Sequence, residues 1–166
     1  MTFWFKEREF MKNKYVKIIF SLAEYIITIL IFYVFTVAIH EWIHLEAVYF
    51  FGGDGYIVKT AYGGAMKFTV MPTYPTITAF AGGLGVAGLY LLIMSLDWLD
   101  DIEQAAAMIP LATSQFAYGL VEGLLIFTIP FEEFFNIAQI ALAIGWFVGF
   151  VISFIYVANH LWGNKK

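Results

Sequence analysis

The sequence predicts an all-α polytopic membrane protein with four transmembrane helices and a small β-hairpin between the first and second. Three observations carry that prediction. Of 166 residues, 61% are hydrophobic and 20% aromatic, while only 13% are charged, against about 25% in soluble domains. The charges gather in short segments and leave four apolar stretches, each at least the length of about 20 residues that a spanning helix needs. The segment after the first stretch is instead β-prone and broken by glycine. So apolar a composition excludes a soluble globule and a disordered chain, since disorder goes with few apolar residues and many charges. Cysteine is absent, which removes disulfides, thiolate metal sites and cysteine nucleophiles. A net charge of -4 offers no basic face for nucleic acid.

Residues 1–17 mix Lys6, Arg8, Lys12, Lys14 and Lys17 with Phe3, Trp4, Phe5 and Phe10, a basic and aromatic interfacial arm. A single membrane-embedded domain is expected over 18–160, followed by a tail at 161–166. The first span covers about 18–51, because no Pro or Gly interrupts the chain until Gly52. That stretch is far too long for a cleavable signal peptide, and no small-residue cleavage site follows it. A hairpin is expected over about 55–70, where two β-prone runs flank Gly63-Gly64, a two-residue turn signal. The second span, about 76–96, begins after Pro72 and Pro75 and carries no charge. Asp97, Asp100, Asp101 and Glu103 form an acidic loop, after which the third span, about 105–129, holds Glu122 as its one charge. Glu132 and Glu133 mark a turn before the fourth span, about 134–158. Four spans put both termini on one side of an integral, multi-pass protein. The basic arm and Lys165-Lys166 place that side in the cytoplasm by the positive-inside rule.

His40-Glu41-Trp42-Ile43-His44 is an H-E-x-x-H pattern within the first span. On a helix, positions i and i+4 share one face, so two imidazoles can hold one Zn²⁺ while the intervening glutamate serves as general base. Ionisable residues inside a membrane are costly and point to function. Solvated interfacial residues are the simpler alternative, and a haem pair is disfavoured because one helix face cannot supply both axial ligands. A catalytic zinc takes three protein ligands plus water, and Glu122 is the leading third. The first and third spans run in the same direction. His40 lies about 33 Å after Ile18 and Glu122 about 25 Å after Ala105 at helical rise, so both fall in the half nearest the same surface. No Lys or Arg in the spans can neutralise Glu122. Gln115, Tyr118 and Glu122, at i, i+3 and i+7, form one polar face, which also fits a purely structural network or a set of groups orienting a ligand. Glu132, Glu133 and Asp54 are the other candidates for the third ligand. Glu46 points to a different face, and Glu24 lies near the basic arm.

These motifs resemble the site-2 protease family of intramembrane zinc metalloproteases, of which the chain looks like a divergent, minimal member. The likeness covers roughly residues 30–125. It rests on His40 to His44 in a spanning helix, the Gly52-Gly53 break with its hairpin, Ala81-Gly82-Gly83 early in the second span, and Val121-Glu122-Gly123 in the third. The family's third ligand is an Asp followed by Gly in that third position. The resemblance therefore implies one zinc held by His40, His44 and Glu122, with Glu41 as catalytic base. The chain departs from the family in its Glu for Asp, in lacking the upstream Asn and Pro of that motif, and in Gly83, where a Pro is usual. The implied substrate is a membrane-anchored protein or residual signal peptide, held extended by strand addition to the hairpin and hydrolysed with water admitted past Gln115, Tyr118, Asn136 and Gln139. Two other classes fit the same residues: a non-catalytic scaffold or partner subunit, and a metal or proton transporter. Gly145 and Gly149 form a G-x-x-x-G pair suited either to packing within the chain or to homo-oligomers.

Overall fold

The computed structural model describes residues 14–60, 63–95 and 102–163. In chain order the elements are α1 (Lys14–Phe50), β1 (Asp54–Thr60), β2 (Gly63–Val70), α2 (Pro75–Ser95), α3 (Ile102–Leu125) and α4 (Phe131–Gly163). The arm up to residue 13, the acidic loop at Asp97, Asp100 and Asp101, and the terminal residues 164–166 lie outside the described residues. Helix α1 starts inside the expected arm, at Lys14, and α4 runs through to Gly163, past the expected end of the fourth span.

Among the described residues, three of the four helices are long and apolar enough to cross a membrane: Val16–Phe50, Pro75–Ser95 and Phe131–His160. Helix α3 is not among them, which departs from the four equivalent spans expected. The physical reason is its position. Helix α3 packs against α1, α2 and α4, and an unbroken run from Ala106 to Ala112 is buried, so its surface faces protein and need not be apolar throughout. The outer helices show the converse pattern. Val34 on α1 and Phe154 on α4 are each 72% exposed, whereas Thr36, His40, His44, Ser114, Gln115, Glu122 and Ser153 are buried. Apolar outside and polar inside is the arrangement of helices solvated by lipid.

Contacts between helices show that chain neighbours run antiparallel. His44 and Thr36 of α1 meet Thr78 and Tyr90 of α2. Phe80 and Gly83 of α2 meet Gly123 and Gly119 of α3. Ser114 and Pro110 of α3 meet Gly145 and Gly149 of α4. The chain therefore goes up, down, up, down, and α1 and α3 are parallel as expected. The core of Val86, Tyr90, Met108 and Leu111, against which Phe32, Ile39 and Trp146 pack, lies below the hairpin end. Gly145 and Gly149 serve the packing of α4 on α3 within the chain, where a Cβ on either would strike the backbone or side chains of Pro110, Thr113 and Ser114.

Local chemistry explains the element ends. Gly52 adopts φ +73°, and the Gly52 and Gly53 amides donate to the carbonyls of Tyr49 and Val48 at 3.1 and 2.9 Å, a Schellman termination of α1. Pro75 opens α2, where its missing N–H costs nothing. Pro110 sits inside α3 and removes the helical bond to the carbonyl of Ala106. The Ser153 hydroxyl of α4 donates to that carbonyl at 2.9 Å, so the proline is tolerated by a bond from a neighbouring helix.

The hairpin corrects one expectation. In the antiparallel register Thr60 pairs with Gly63 and Lys59 with Gly64, so Gly63-Gly64 opens β2 instead of forming the turn. The connection is residues 61 and 62, outside the described residues. Gly64 has another role: a Cβ there would lie 2.5 Å from Glu41 Cγ, so the strand can approach α1 only because this position has no side chain.

Candidate metal centre

His40 and His44 lie one turn apart on α1 and face α2 and α3, where both are buried. Each ring is fixed by its Nδ1. His44 Nδ1 is 2.6 Å from the carbonyl oxygen of Thr78, which can only accept, so Nδ1 carries the proton and donates. His40 Nδ1 is 3.2 Å from Gln115 Oε1 and donates to it in the same way. The Nε2 atoms thereby present lone pairs to one point, 3.0 Å from each other. Glu122 Oε2 of α3 is 3.2 Å from both. It makes no hydrogen bond, and among the described residues it is the one buried side-chain polar atom without a partner.

With both imidazoles neutral, three acceptor atoms thus converge with no donor among them. A buried polar atom without a partner costs about 1–3 kcal/mol, more when charged, and buried charges are found paired or bound to metal. His40, His44 and Glu122 form a buried group that could hold a metal ion, and the orphaned Oε2 fits that occupant. Glu41 is half-buried beside them. Its carboxylate accepts a hydrogen bond from the Met66 amide, which turns the unpaired edge of β2 towards the cluster. The centre lies on a cavity of about 760 Å³ whose walls include Gly64, Met66 and Phe68 of β2, Tyr33 and Val37 of α1, Gln115 and Tyr118 of α3, and Phe134, Gln139 and Leu142 of α4. On the side away from the hairpin, α1 and α4 are joined by ring contacts of Tyr33 with Trp146 and Tyr25 with Phe150, at 6.2 and 6.4 Å.

The remaining candidates are placed elsewhere. Glu132 and Glu133 are exposed in the first turn of α4, where negative charge complements the helix dipole. Asp54 is exposed and accepts the Gly55 amide at 2.8 Å. Glu46 is exposed, and so is Asn136, while Gln139 reaches the cavity wall. Glu24 accepts a bond from the Gln104 amide at 2.7 Å on the far side of the core.

Sequence reasoning missed what the two site glycines do. A Cβ on Gly82 would overlap the His44 imidazole, so the small residues at the start of α2 are the space into which that ring fits. Gly83 performs the same service for the backbone of Gly119, bringing α3 and its Glu122 close. A glycine inside an apolar helix, where it costs about 1 kcal/mol relative to Ala, was the available signal. Gly82→Ala is expected to displace the His44 ring and weaken binding of a divalent transition ion by about 10–100-fold, as read by competition with a chromophoric chelator.

Comparisons with protein-family models, with curated proteins and with solved structures find no match to this chain.

Proposed function

We propose that this chain is an intramembrane zinc metalloprotease that hydrolyses a peptide bond of a membrane-anchored substrate. The observation that carries the reading is the triangle of His40 Nε2, His44 Nε2 and Glu122 Oε2, with sides of 3.0, 3.2 and 3.2 Å. Ligands at about 2.0–2.1 Å in a tetrahedral zinc site stand about 3.3 Å apart, so three corners of such a site are nearly in place and the cavity supplies the open side. Two nitrogens and one carboxylate oxygen also match the donor set of catalytic zinc sites with a His₂Glu shell. The resemblance of His40–His44 and Glu122-Gly123 to the site-2 protease motifs points the same way.

When bound, zinc supplies Lewis acidity and lowers the pKa of a coordinated water towards about 7. The protein's own groups do the rest. Glu41, one residue from His40 and held by the Met66 amide, takes the proton from the attacking water. It returns that proton to the leaving nitrogen as the C–N bond breaks. Gln115 and the Thr78 carbonyl keep both imidazoles in the tautomer that leaves Nε2 free. The open edge of β2 offers main-chain partners to a substrate drawn out of its helix, because strand addition supplies the hydrogen bonds that unwinding removes. The substrate class is a single-span anchored protein or a residual signal peptide.

The test is cleavage of membrane-anchored reporter proteins co-reconstituted with the purified chain in liposomes. Cleavage that a chelator abolishes and added Zn²⁺ restores is the expected result. Metal flux across the liposome without cleavage would overturn the reading in favour of a transporter.

A further inference from the structure

We propose that the Tyr118 hydroxyl donates the hydrogen bond that stabilises the substrate's carbonyl oxygen as water adds to it, an inference that rests on the protease reading above. Tyr118 occupies the α3 face that also carries Gln115 and Glu122. Its ring meets His40 edge to face, with centroids 5.4 Å apart and planes at 75°, and it lines the cavity.

Among the described residues neither its hydroxyl nor that of Tyr33 on the same wall makes a hydrogen bond, but Tyr33 is 45% exposed and packs on Trp146, whereas Tyr118 packs on His40. Tyrosine hydroxyls inside proteins normally find a partner. Tyr90 donates to the carbonyl of Phe32 at 3.0 Å, and Tyr25 pairs with Ser153 at 3.2 Å. Two other hydroxyls on the cavity wall are spent on their own helices: Thr36 on the carbonyl of Phe32 at 3.0 Å and Thr78 on that of Pro75 at 2.6 Å. Tyr118 makes no hydrogen bond among the described residues, although it is half-buried within the field of the Glu122 and Glu41 carboxylates. A donor left free on the wall of a cavity that also holds Glu41 and Glu122 is available to an oxygen that enters with the substrate.

The chemistry favours such a donor beside the Lewis acid. When water adds to the peptide carbon, the carbonyl π-bond opens and its electron pair settles on oxygen. A donor preorganised towards that charge in a site that excludes bulk water is worth about 10²–10³-fold in rate. Neither Lys nor Arg is among the residues lining the cavity, and the neighbouring carboxylates would repel the developing charge. Tyr118 opposes that repulsion with a neutral donor that needs no counter-ion.

The experiment uses zinc-loaded wild type and Tyr118→Phe in nanodiscs with two probes. One is a capped phosphinic dipeptide with benzyl side chains, whose second phosphinate oxygen takes the place of the carbonyl oxygen. The other is benzyl mercaptan, which binds through sulfur alone. Tyr118→Phe keeps the ring against His40 and removes only the hydroxyl. The expected result is a loss of about 100-fold in affinity for the phosphinate, unchanged affinity for the thiol, unchanged zinc content, and an equal fall in kcat/KM on the reporter. Equal phosphinate affinity in both proteins would overturn the proposal. So would a matching loss for the thiol, which would assign Tyr118 to holding His40. Wild type that holds zinc but binds neither probe would instead sink the protease reading, and this proposal with it.

Discussion

Glu122→Leu is expected to take the purified protein from about one zinc per chain to near none, as measured by elemental analysis, and at the same time to leave the metal-free fold at least as stable. The two halves of this result follow from one observation. Glu122 Oε2 is buried with no hydrogen-bond donor, 3.2 Å from two histidine nitrogens whose lone pairs also face inward. With both imidazoles neutral and no metal, that arrangement leaves a buried acceptor unpaired, so replacing the carboxylate with an apolar side chain of similar size relieves about 1–3 kcal/mol. The melting temperature of the metal-free variant should therefore equal or exceed that of the metal-free wild type. With zinc, the ranking inverts, because wild type gains the binding free energy that the variant cannot. His44→Ala should abolish zinc binding as well. It creates a void beside Gly82, so its metal-free fold should be weaker. A Glu122→Leu protein that retains zinc would remove Glu122 from the ligand set. One whose metal-free form melts well below wild type would make the carboxylate a structural group.

Glu41→Gln is expected to lower cleavage of a membrane-anchored reporter by about 10²–10⁴-fold, the usual contribution of a positioned general base, with zinc content unchanged. Glutamine keeps the side-chain length. Its amide oxygen can still accept the bond from Met66, so β2 should hold its place against α1. What it cannot do is take a proton from water. The variant thus separates proton transfer from positioning, which Glu41→Ala would not, since alanine would also leave the Met66 amide unpaired. Near-normal cleavage by Glu41→Gln would exclude Glu41 as the base. A loss of both zinc and cleavage would mean that Glu41 helps to hold the metal.

How far the site was legible from sequence depends on the distance over which each feature is decided. The His40–His44 face needed only the 3.6-residue period of one helix, and the break after Phe51 needed only the glycine that a left-handed residue requires. Glu122 could be narrowed to the same membrane half as the histidines by counting rise per residue. Its depth, the lack of a Lys or Arg partner and the resemblance of Glu122-Gly123 make it the leading third ligand by sequence, and the structure adds that Glu132, Glu133 and Asp54 are exposed. The glycine pair at 63 and 64 shows the limit. A pair of glycines between β-prone runs fits a turn locally, yet the space against Glu41 needs Gly64 inside the strand.

Local sequence therefore settles what depends on neighbours a few positions apart: the membrane composition, the helix bearing the His-Glu-His face, and the glycine break that ends that helix. Packing alone brings Glu122 to within 3.2 Å of both imidazoles, and it alone decides that Gln115 and the Thr78 carbonyl set both histidine tautomers, that α3 lies among the other described helices, and that Gly82 and Gly64 are spaces for His44 and Glu41. The reason is physical. Each of those contacts joins residues on different elements, 23 or more positions apart, and no helical or strand period relates them. Only the crossing of the helices brings their atoms to one point.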